Sequence, residues 1–249
     1  MSMAAPSTDP ATGSSEERSA PAAARPAGRR HRVRHALEYA LFRLLLGSLS
    51  GLGEGGTRRL GRVLGWAAFE LFRIRRRVTL ENLAHAFPSL TAVRRRQIAR
   101  KCYLHFGVTF LELLRLPRLS PGEIRRRIPC ASPEPFDELR SQGKGGVLVT
   151  GHLGNWELLG AGIAALGYPL RVTVASQRNR RVDAYVTRAR ESVGMRVLKI
   201  EAGLRPILRA LRGNEFVAFV SDQDAGRHGC FVPLFGRPAS TALGPARFA

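Results

Sequence analysis

The chain has 249 residues, 44% hydrophobic and 24% charged, which suits a folded protein with a real core and excludes a wholly disordered or fibrous one. Against 19 acidic residues stand 40 basic ones, 37 of them arginine, for a net charge of +21. Such a surface calls for acidic partners: anionic lipid headgroups, nucleic acid or an acidic carrier protein. The three cysteines (Cys102, Cys130, Cys230) are odd in number, far apart and form no CxxC pair. They exclude a disulfide framework or zinc ribbon and suit a reducing, cytoplasmic setting.

Residues 1–30 are rich in Ala, Pro, Ser and Gly with almost no large apolar side chain, so no packed structure is expected there. With the basic cluster that follows, residues 1–35 read as a disordered basic tail. Residues 36–53 are apolar but carry Glu38, Arg43 and several glycines. Three readings stay open for them: a helix lying in a membrane interface, a membrane span, or an ordinary packed helix. Helical spacing in 60–74 puts Leu60, Leu64, Ala67 and Leu71 on one face. Residues 36–77 are therefore expected to be membrane-associating helices. Thr91 can cap one long helix over 91–116, which Pro117 ends. The arginine runs at 94–96 and 125–127 read as solvated faces.

From residue 145 onward short apolar runs alternate with helical segments. Strands are expected at 145–150, 170–176, 195–200 and 215–222, and helices at 155–167, 180–194 and 203–214. That alternation argues an α/β fold with a mostly parallel sheet flanked by helices, occupying 78–249.

The sharpest local feature is T-G-H-L-G-N-W-E at 150–157. It places His152 on a turn between a strand and a helix, where open α/β sheets build their sites. Histidine is suited to take a proton near neutral pH. Glu157 can reach it only if His152 stands on the turn and the carboxylate comes back from the first helical turns; it would then orient the imidazole. Gly151 and Gly154 permit the tight turn. The bland alternative is a satisfied structural histidine.

H-L-G-N-W-E resembles the H-x4-D/E motif of the glycerolipid acyltransferase superfamily, and more narrowly the bacterial lipid A biosynthesis acyltransferases. ENLAHAFPSL at 81–90 is similar to that family's N-L-x-x-A/C-F-P element, and a hydrophobic helix with Glu112 follows. QRNRRVD at 177–183, R-A-R at 188–190 and the block from Ser221 to Gly244 complete a colinear resemblance over 36–249.

The resemblance implies transfer of an acyl chain from acyl carrier protein or acyl-CoA to a hydroxyl of a glycolipid, at the cytoplasmic face of a bacterial inner membrane. His152 matches the general base and Glu157 its carboxylate partner; no cofactor is implied. In the mechanism this suggests, backbone donors near Gly154 and Asn155, or a nearby arginine, would stabilise the tetrahedral oxyanion. The family's arginine after the second strand has no counterpart at Ala175 and Ser176, and Arg178 is the nearest candidate. Arg188 or Arg190 would bind phosphate. Asp222 and Asp224 match a D-x-D element that reads as structural hydrogen bonding rather than a metal site.

An anionic membrane surface fits the charge. No helix-turn-helix, RNP-like or zinc pattern supports nucleic-acid binding. The alternatives are an acyltransferase of phosphatidylinositol mannoside type and a silent membrane-surface scaffold. The sequence stops at Ala249 in what reads as a continuing helix, whereas family members run on, so the chain reads as a fragment or a truncated gene product.

Overall fold

The computed structural model describes residues 29–249. The expectation for residues 1–28 lies outside them, but the one for 29–35 does not. Helix α1 begins at Arg29 and runs to Ser50, inside the stretch read as tail. Its inner face sends Phe42 and Leu49 into the core, Phe42 edge-on to Tyr185 with centroids 5.3 Å apart. Val33, Leu37, Leu41 and Leu44 form an exposed stripe. One face of 36–53 is thus packed and the other left open. Among the described residues, no helix is long and apolar enough to cross a membrane.

Helix α2 (Glu54–Trp66) continues as a π-helical turn through Leu71. Its buried face is not the expected leucine face: Thr57, Gly61, Gly65 and Phe69 turn inward, while Leu64 and Leu71 are exposed. The reason is close backbone packing. A methyl group on Gly107 would run into the Gly61 carbonyl oxygen, and one on Gly65 into that of Tyr103. Small residues rather than large ones set this contact.

Helix α3 (Arg76–Ala86) leads to α4 (Ala92–Arg115), capped by Thr91, whose hydroxyl accepts from the Arg94 N–H at 3.2 Å. Helix α5 (Pro121–Arg127) opens with a Ser120–Glu123 capping box, and α6 is Glu134–Ser141. Two of the expected solvated arginines form ion pairs, Arg96 with Glu70 at 2.6 Å and Arg127 with Glu54 at 2.8 Å, and Arg125 donates to the Ala165 carbonyl at 2.9 Å.

The rest follows the expected alternation. In order come β1 (Gly146–Thr150), α7 (Trp156–Ala165), β2 (Leu170–Val174), α8 (Arg180–Glu191), β3 (Arg196–Lys199), α9 (Arg205–Arg212) and β4 (Phe216–Val220). The hairpin β5 (Cys230–Leu234) and β6 (Arg237–Thr241) and the short α10 (Gly244–Phe248) end the chain. The four-stranded sheet is all parallel, in the order β1-β4-β2-β3. Its two neighbouring strands β1 and β4 are near-continuous apolar runs, whereas β2 and β3 carry Arg171, Thr173, Arg196 and Lys199. Phe216 of β4 is fully buried against Phe136 and Tyr168, and Leu111, Leu113 and Leu114 of α4 join the same core.

Candidate functional site

The sheet order builds the site. Thr150 at the end of β1 is in register with Val220 at the end of β4. Two residues beyond those ends stand His152 and Asp222. The Asp222 carboxylate holds His152 twice: Oδ1 lies 2.6 Å from Nδ1, and Oδ2 accepts from the His152 backbone N–H at 2.7 Å. Partial burial pushes the Asp222 carboxyl up, but these hydrogen bonds outweigh it and keep the group below its ordinary value. Asp222 is therefore ionised near neutral pH and can only accept, so the imidazole proton sits on Nδ1. In the neutral ring Nε2 then carries the lone pair, and it lies 3.5 Å from the Gln223 side-chain nitrogen. The Trp156 ring stands edge-to-face with the imidazole at 4.5 Å, and Phe106 flanks Trp156.

Glu157 is not the carboxylate on His152. It is 6% exposed, and both its oxygens take the fork of Arg190, from Nε at 2.9 Å and from Nη2 at 2.6 Å. The correction has a simple cause. Glu157 lies in the first turn of α7 and faces α8, whereas the imidazole faces the end of β4. The same clamp spends on Glu157 the arginine fork that was expected to meet phosphate. Arg178 and Arg188 are exposed.

Asn155 and Gly154 serve the turn. Gly154 has φ +57°, in the left-handed region that favours glycine. Asn155 caps α7, its Oδ1 accepting from the Leu158 N–H at 3.0 Å. Its Nδ2 donates to Glu112 at 2.6 Å. The two D-x-D carboxylates act separately: Asp224 accepts from the Gly226 N–H at 2.9 Å, closing a local turn. Among the described residues, no group of three His, Cys, Asp or Glu side chains could hold a metal.

Beside this centre lies a cavity of about 590 Å3, within the size range of small-molecule pockets. Phe136, Leu148, Ile163, Leu170, Val172 and Met195 make it largely apolar, while His152, Gln223 and the Glu157–Arg190 pair supply polar wall. The arrangement sets a histidine held on a carboxylate beside a largely apolar cavity. Sequence reasoning did not single out Gln223, and it gave neither Asp222 nor Arg190 the partner it has. Those pairings depend on the strand order and on the approach of α8 to α7.

Over 152 residues the chain is 29% identical to the phosphatidylinositol mannoside acyltransferase of Mycobacterium tuberculosis, covering 58% of this chain and 48% of that protein. It is 27% identical over 180 residues to the lipid A biosynthesis palmitoleoyltransferase of Escherichia coli, covering 71% and 57%. With the lipid A biosynthesis acyltransferase of Haemophilus influenzae it shares 25% over 166 residues, covering 66% and 52%. The chain thus spans about half the length of the curated relatives it matches. The family model described as bacterial lipid A biosynthesis acyltransferase matches residues 27–249, and the chain belongs to that family.

Proposed function

We propose that the chain is a membrane-associated O-acyltransferase that moves a fatty acyl group from a thioester donor, acyl carrier protein or acyl-CoA, to a glycolipid hydroxyl. The observation that carries this reading is His152, with Nδ1 on the Asp222 carboxylate, beside an apolar cavity able to take the acyl chain. His152 Nε2 removes the proton from the acceptor hydroxyl, and the oxygen attacks the thioester carbonyl carbon. Asp222 stabilises the imidazolium that results. The carbon–sulfur bond then breaks, and the thiolate leaves with the proton held on Nε2. Gln223 stands close enough to Nε2 to donate to the hydroxyl or to the oxyanion. The buried Glu157–Arg190 pair holds α7 against α8 and fixes the wall of the slot.

The exposed stripe of α1, together with Leu71, Phe72 and Ile74 after α2, offers apolar surface to a bilayer, and the net charge of +21 attracts anionic headgroups. A bacterial inner membrane, approached from its cytoplasmic side, is the setting that fits. The acceptor is a lipid A-type glycolipid in the first reading. The relatives named phosphatidylinositol mannoside acyltransferase favour a mannoside lipid as the second.

Mass spectrometry of lipids after incubation with each donor and each acceptor tests the proposal. One added acyl chain on a single acceptor class is expected. Donor hydrolysis without a lipid product would contradict the reading.

A further inference from the structure

The turn that carries His152 is gripped from α4 at two points. Thr109 Oγ1 donates to the Gly154 carbonyl at 3.3 Å, and Glu112 Oε2 accepts from Asn155 Nδ2 at 2.6 Å. The other oxygen of Glu112 takes Arg58 Nε from α2 at 3.0 Å. Glu112 is 9% exposed and lies in a run with the buried Leu111, Leu113 and Leu114. Core packing alone would favour an apolar residue there, since taking a carboxylate out of water is costly. Both its oxygens are instead committed, one to the turn and one to the neighbouring helix.

Asn155 joins two tasks in one side chain. Its oxygen caps α7 while its nitrogen ties the cap to α4. Capping needs only an acceptor; the tie to Glu112 needs a donor. We propose that Glu112 is a positioning residue for acyl transfer: acting through Asn155, it sets the turn that aims His152 Nε2 at the reacting hydroxyl. The proposal rests on the acyl-transfer reading above.

The difference between the two tasks supplies the test. Asn155→Asp keeps an acceptor for the cap but turns a carboxylate oxygen toward Glu112. Adding Glu112→Gln reverses the polarity of the contact: the new amide donates to the new carboxylate, and its oxygen still accepts from Arg58. Steady-state kinetics of the whole chain should show kcat of Asn155→Asp reduced by about tenfold or more, because small displacements of a catalytic group are costly in rate. The donor KM should stay within about twofold, since the apolar slot is untouched. The double substitution should return to within about threefold of the unsubstituted chain. In 15N spectra of the His152 imidazole, the unsubstituted chain and the double variant should show the Nδ1-protonated tautomer. Asn155→Asp should show a mixture.

Unchanged kcat and an unchanged imidazole spectrum in Asn155→Asp would overturn the proposal. So would a folded double variant as slow as the single one. Should Asn155→Asp not fold, Glu112→Gln alone supplies the same two readouts, since one amide oxygen cannot serve both Asn155 and Arg58. An unsubstituted chain that transfers nothing, yet shows the expected imidazole pattern, would overturn the acyl-transfer reading and leave standing only the hold of Glu112 on the His152 turn. Activity lost in His152→Ala but kept in Asn155→Asp would do the reverse.

Discussion

Asp222 supplies two acceptors to one residue, the His152 imidazole and its backbone N–H. Asp222→Asn can keep an oxygen on the backbone while turning a donor toward Nδ1, which would move the ring proton to Nε2 and cost the base its lone pair. The expected loss in kcat is on the order of a hundredfold or more, with the thermal midpoint little changed, as rate assays and circular dichroism would show. At this scale the sequence was informative only where the chemistry is local. His152, Asn155 and Glu157 stand within six positions of one another and were legible as one motif. Asp222 is 70 positions from His152, and Arg190 is 33 from Glu157. Residue types alone do not say which of two nearby carboxylates meets the imidazole.

Between elements, the Glu157–Arg190 pair is the main polar tie of α7 to α8. Its side chains are 7% and 15% exposed, so removing one partner leaves a charge with poor access to water. Arg190→Met should destabilise the fold by about 3 kcal/mol, and adding Glu157→Gln should recover much of that, by urea denaturation. The α2–α4 contact works by the opposite means, through absence of side chains. Gly107→Ala should cost about 1–3 kcal/mol by overpacking, read by the same method. Here α4 was legible from its Thr91 cap and apolar run, because both signals lie within the helix itself. The buried face of α2 was not, because apolar periodicity points to leucines whereas glycines make the contact.

At the scale of the whole molecule, alternating runs from residue 145 onward were enough to predict a parallel sheet, but not its order. The insertion of β4 between β1 and β2 is what brings His152 to Asp222. Acid stability also belongs to this scale. Arg171 and Arg196 hold Glu215 below its ordinary value. Burial pushes the Asp183 carboxyl up, but Lys199 and the Gln177 N–H outweigh it and hold the group below its ordinary value. Carboxyls lowered on folding stabilise the protein above their unfolded values near 4, and that contribution is lost as pH falls through their lower folded values. Thermal midpoints should therefore drop steeply below about pH 4, and Glu215→Gln should shallow the drop. The charge of +21 predicts binding to anionic vesicles that weakens as salt rises from about 50 to 500 mM, measured by co-sedimentation.

The central claim, that His152 is the base for acyl transfer to a glycolipid hydroxyl, is tested most directly by product formation with His152→Ala beside the unsubstituted chain. The geometry predicts a fall of about a thousandfold or more with an unchanged fold. Full activity in the folded variant would contradict it.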